Sequence, residues 1–124
     1  MTQGGNVEGF WLVQFTGVQG WGGGAVTLIG GQLFGGDSGF FYTGSYKTQN
    51  DTLNARIHVR RYLDSVASVM GRDEFDLELT GIQQGNTINI TGAIPGTSLR
   101  LKGTFVKQGN LPAAAEKVVH DMVR

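Results

Sequence analysis

Gly36-Asp37-Ser38-Gly39 sets a serine beside an aspartate between two glycines, the local surroundings of a nucleophile in serine-dependent acyl transfer. That chemistry needs a histidine to take the serine proton, and in the protease order the histidine and a second acid precede the serine. No histidine lies before Ser38, and the two in the chain are His58 and His120. The segment therefore reads as an Asp-Ser-Gly turn whose side chains cap nearby amides. His58 falls between Arg56 and Arg60 with no acid adjacent in sequence, a poor setting for a base or a metal ligand. His120 follows Glu116 at a helix-face spacing, which alone does not make a metal site. Asp73, Glu74, Asp76 and Glu78 are the candidates for paired-carboxylate work, but alternation turns Asp76 and Glu78 to water, away from the burial such catalysis uses. Gly20 to Gly24 lacks both the Lys-Ser or Lys-Thr pair and the following helix of a phosphate-cradling loop. The expectation is a protein without catalytic residues, metal or cofactor.

What positions these groups is a run of short strands. Gly9 to Thr16 alternates Phe10, Leu12 and Gln14 with Trp11, Val13 and Phe15, which predicts a strand buried on both faces. Ala25 to Ile29 and Gln32 to Phe34 flank Gly30-Gly31, the signature of a two-residue hairpin. Phe40 to Lys47 is a further strand, bent at Gly44. After a turn at Asn50-Asp51, Leu53, Ala55, Ile57 and Val59 point inward while Asn54, Arg56, His58 and Arg60 point outward. The same period recurs over Asp73 to Thr80, Asn86 to Ile94 and Leu99 to Lys107.

These strands, joined by short turns, predict an all-β fold: a small eight-stranded antiparallel up-and-down barrel, since closure removes both exposed edges. Phe10, Leu28, Phe41, Leu53, Ile57, Phe75 and Ile90 are the expected interior. The long segment Tyr62 to Arg72 carries Leu63, Val66, Val69 and Met70 and is expected to pack over a barrel mouth. At the C-terminus the period changes. Leu111, Ala115, Val118 and Met122 predict one amphipathic helix over 110–123, with Asn110 as N-cap and Pro112 in its first turn.

Glycine supplies 21 of the 124 residues, more than twice the usual ~7%. The length fits a single domain over 1–124, with the barrel over 8–107. Ten basic and ten acidic residues cancel, and the one basic stripe, Asn54, Arg56, His58, Arg60 and Arg61, has no interleaved aromatics, which argues against nucleic acid. There is no cysteine, Met1 to Asn6 has no leader-like pattern, and no apolar run is long enough for a helical membrane span. A cytoplasmic protein is the expectation.

Glu8-Gly9-Phe10-Trp11, Gly22-Gly23-Gly24, Gly35-Gly36-Asp37 followed by Tyr42-Thr43-Gly44-Ser45-Tyr46, and Leu77-Glu78-Leu79-Thr80-Gly81 occur in an order that resembles the GrlR-like proteins. The namesake of that family is a negative regulator of type III secretion genes. The resemblance covers roughly residues 8 to 107. It implies a lipocalin-like barrel that forms a homodimer and acts by binding a protein partner, such as a transcriptional activator, rather than by catalysis. In the namesake an acidic Glu-Asp-Glu-Asp loop engages the activator. The corresponding turn here is Thr48-Gln49-Asn50-Asp51, with a single carboxylate. The competing reading is a carrier that holds a small apolar ligand in the barrel interior.

Overall fold

The computed structural model describes residues 7–64 and 68–111. Eight strands follow one another: β1 (Gly9–Gly17), β2 (Gly20–Ile29), β3 (Gln32–Gly36), β4 (Phe40–Gln49), β5 (Thr52–Arg61), β6 (Glu74–Gln84), β7 (Thr87–Ala93) and β8 (Arg100–Gly109). Each pairs antiparallel with the next, and β8 returns to β1 to close the barrel. Closure sets Leu12 opposite Val106 and Phe15 opposite Gly103. Among the described residues, every strand is thereby paired on both sides.

The two ends of the barrel differ. At one end, Gly30-Gly31, Asn50-Asp51 and Gly85-Asn86 make tight reversals beside the start of β1 and the end of β8. The first of these is the expected hairpin, with φ of 57° and 82° at its two glycines. At the other end lie the connections 18–19, 37–39 and 94–99 and the described parts, 62–64 and 68–73, of the one between β5 and β6. The core runs between them, with Trp11, Leu28, Leu33, Leu53 and Ile88 fully buried. Trp11 donates its indole N–H to the Val7 carbonyl at 2.8 Å, so the largest core side chain buries no unpaired polar atom.

One expectation about the strands needs correction. β1 is buried on one face only, because the barrel has one inside: Trp11 and Val13 point in, while Phe10 and Leu12 are 44% and 46% exposed. Gly20 and Gly22 to Gly24 form part of β2, paired with Gly17, Phe15, Gln14 and Val13. The predicted C-terminal helix falls outside the described residues, except for Asn110 and Leu111, which are not helical.

The glycines do more than turn corners. Gly22 and Gly24 on β2, Gly35 on β3, Gly44 on β4, Gly81 on β6, Gly92 on β7 and Gly103 on β8 all stand at inward-facing positions, opposite buried or partly buried partners. At Gly103 a Cβ would overlap the Gln14 carbonyl oxygen and come within 2.9 Å of the Phe15 Cα. At Gly44 it would collide with the Arg56 carbonyl and approach the Ile57 Cα to 2.9 Å. The sheet coils tightly enough at these points that only a residue without a side chain fits between the backbones.

Candidate ligand cavity

The looped end of the barrel opens into a cavity of about 250 Å³. Its walls are inward-facing strand residues, among them Val13, Val26, Ile57, Leu77, Leu79 and Ile90. On β2, Gly22 lies under the Phe15 ring and Gly24 beside the Tyr42 hydroxyl, so close that a Cβ at either would collide with its neighbours. Around the mouth stand Trp21, Ser38, Ser68, Val69 and Met70.

The expected packing of the long connection over the mouth is present in its described part. Gln19 donates its amide to the Val69 carbonyl at 2.7 Å, and a Cβ on Gly17 would touch the Met70 sulfur at 2.6 Å. Met70 is 3% exposed. Ser68, buried beside it, accepts the Met70 and Arg72 amides at 3.2 and 3.0 Å and so folds the segment back on itself.

Asp37 organises the opposite rim. One carboxylate oxygen, Oδ1, accepts the Gly39 amide at 2.9 Å and the Phe40 amide at 2.8 Å, which is the Asp-Ser-Gly turn the sequence predicts. The other, Oδ2, accepts the proton of the buried Tyr42 hydroxyl. Tyr62 donates to the Asp37 backbone carbonyl at 2.5 Å. Burial pushes the Tyr42 phenol well above its ordinary range, and the hydrogen bond to Asp37 and its charge push it further. Arg61, the last residue of β5, lies 4.8 Å from the centre of the Phe40 ring and is engaged by Asp73 Oδ1 at 2.8 Å and the Leu63 carbonyl at 3.0 Å.

Of the residues expected inside, Leu28, Leu53, Ile57 and Ile90 are buried there, and Phe75 packs against the core and lines the cavity. Phe10 and Phe41 are not inside. They occupy the outward parity of β1 and β4, and Phe41 is 38% exposed. Thr48, Gln49, Asn50 and Asp51 lie at the opposite end from the cavity. Thr48 and Gln49 pair with Leu53 and Thr52, and Asn50 takes a left-handed φ of 56°. What the sequence reading missed is the Asp37–Tyr42 contact and the lining role of Ser68. The spacing of Tyr42 two residues after Phe40 in an alternating strand was the available signal for the first.

Outside, the polar face of β5 meets acids that sequence distance had hidden. His58 is flanked by Asp76 at 2.7 Å on Nδ1 and Glu74 at 2.6 Å on Nε2, and Arg56 pairs with Glu78. The acids are outward-facing, as expected, and pair with Arg56 and His58 of the basic stripe. Neither the family models nor the curated proteins contain a match to this chain.

Proposed function

We propose that this barrel works by binding rather than catalysis, and that its interior takes a small, largely apolar ligand. The observation that carries this reading is the cavity of about 250 Å³ at the looped end, walled by aliphatic side chains and rimmed by a few polar groups. The placement of His58 supports the non-catalytic half of it. Both ring nitrogens are occupied by carboxylates on the outer wall, away from the cavity. Titration with toluene, followed by the methyl resonances of Val26, Leu77, Leu79 and Ile90, tests the reading. Saturable shifts at these residues are expected. Shifts confined to the outer residues Leu12 and Val106, or none, would overturn it.

A second reading follows the GrlR-like resemblance: a cytoplasmic regulator that associates as a homodimer and captures a protein such as a transcriptional activator. It is favoured by the outer wall, where Phe10, Leu12, Phe34 and Val106 expose apolar surface across neighbouring strands. An amphipathic helix at the C-terminus, with its stripe Ala115, Val118 and Met122, belongs to the same proposal. The turn Thr48–Asp51 carries one acid, so an interface there would lean little on charge. Light scattering of the wild type and of Phe10→Ser/Leu12→Ser is the check, with a dimer expected to fall to monomer in the variant.

A further inference from the structure

The hydrogen-bonding groups at the rim decide what kind of ligand the cavity accepts, an inference that rests on the interior-ligand reading. Among the described residues that line the cavity, Asp37 is the charged one. Tyr42 has a single proton and spends it on Asp37 Oδ2, so its oxygen turns only lone pairs to anything else nearby. Oδ1 already accepts two amides, whereas Oδ2 accepts only the phenol and keeps room for a second donor. Ser68 accepts two amides, and its hydroxyl proton, like those of Ser38 and the Trp21 indole at the same mouth, is a neutral donor. The described rim thus offers acceptors, a few neutral donors and one negative charge, with no cation among its lining residues, in an apolar surround. Arg61 is already engaged by Asp73 and the Leu63 carbonyl, and it is not part of the lining.

From this arrangement we infer that the cavity selects a neutral apolar molecule bearing one hydroxyl donor and rejects the carboxylate of the same size. The donor would be received by Asp37 Oδ2 and the Tyr42 oxygen, and the apolar body by Ile57, Leu77, Leu79 and Ile90. A carboxylate would bring a second negative charge beside Asp37 in a site that solvates charge poorly. Size follows from volume. A dry cavity of ~150 Å³ holds benzene, so about 250 Å³ suits a ligand of roughly ten non-hydrogen atoms.

Octan-1-ol and octanoate make the comparison, since they match in length and differ in the group presented to the rim. Both are titrated at neutral pH into the intact protein, with binding read by calorimetry and located by the methyl resonances of Leu77, Leu79 and Ile90. Octan-1-ol is expected to bind at least about tenfold more tightly than octanoate, the scale of leaving a charge poorly solvated. Asp37→Asn is expected to close most of that gap, and Tyr62→Phe, which lies outside the lining and keeps the Asp37 charge, to preserve it. Octanoate binding within threefold of octan-1-ol, or a gap unchanged in Asp37→Asn, overturns the ligand class while leaving an interior ligand in place. If Asp37→Asn does not fold, the wild-type ratio still decides. Failure of both compounds and of toluene to shift the interior methyls overturns the interior-ligand reading itself, and the ligand class with it.

Discussion

His58 Nδ1 lies 2.7 Å from Asp76 Oδ1, and the two residues are direct cross-strand partners on the outer face of β5 and β6. The ring's other nitrogen meets Glu74 at 2.6 Å. A neutral imidazole has one N–H to donate, so only the protonated ring serves both acids. The hydrogen bond to Asp76, then that to Glu74, accordingly raise the His58 pKa above its ordinary 6.5.

The sign of the pH effect follows. A group whose folded pKa is raised contributes stability that is fully present below its unfolded value and is lost as pH rises through the folded value. His58→Gln is therefore expected to be less stable than the wild type at about pH 5.5, with the gap closing by about pH 9. The side chain is 43% exposed, so the gap is small and best read as a difference in urea midpoint. An equal gap at both pH values would show that charge on His58 contributes nothing.

Asp37 is the most connected side chain at the cavity mouth. Replacing it with alanine strips the acceptor from the Gly39 and Phe40 amides and leaves the buried Tyr42 hydroxyl without its partner. A loss of about 2–4 kcal/mol is expected, because the orphaned donors sit where water has limited access. Tyr62→Phe, which removes one exposed donor to the Asp37 carbonyl, is expected to cost about 1 kcal/mol or less. Chemical denaturation of the two variants side by side checks the ordering.

Gly103 and Gly109 both lie in β8, and they separate two reasons for glycine. At Gly103 a methyl group would overlap the Gln14 carbonyl, whereas at Gly109 nothing lies within 4 Å. Gly103→Ala is expected to destabilise by more than about 2 kcal/mol, since backbone must move to admit it. Gly109→Ala is expected to stay within about 1 kcal/mol of the wild type, because its φ is not in the left-handed region and alanine restricts the unfolded chain. Thermal unfolding of the pair distinguishes them, and similar losses would mean that the β1–β8 seam is looser than its register implies.

Much of this was legible because alternation and closure are local and topological facts. Leu53, Ala55, Ile57 and Val59 against Arg56, His58 and Arg60 fixed which side of β5 faces in, and the count of strands led to a barrel. The readings that failed share one cause. Phe10 and Phe41 are apolar residues on the outward parity, and a large aromatic group in the sequence does not reveal which parity is inside when both faces of a strand are apolar. The carboxylates beside His58 are 16 and 18 residues away, so cross-strand register, which no single strand carries, was needed to find them. The cavity was hidden for a related reason: its walls are residues of many strands, such as Val13, Ile57, Leu79 and Ile90, which come together only once the barrel is closed.

That origin of the cavity leads to a last test, in which space is removed without touching the rim. Ile90 lines the cavity from β7 at 4% exposure, and its cross-strand neighbours on both sides, Gly81 and Gly103, have no side chains. A phenylalanine there can extend into the open volume instead of forcing its neighbours apart. The usual cost of overpacking, about 1–3 kcal/mol, should then be largely absent. Ile90→Phe is expected to unfold within about 1 kcal/mol of the wild type and to bind octan-1-ol at least about tenfold more weakly, since the apolar contacts of several ligand carbons are displaced. Leu12→Ser, on the exposed outer face of β1, should leave that affinity unchanged. If Ile90→Phe binds as the wild type does while Leu12→Ser does not, the alcohol sits on the outer wall, and the protein binds through its surface and not through its interior.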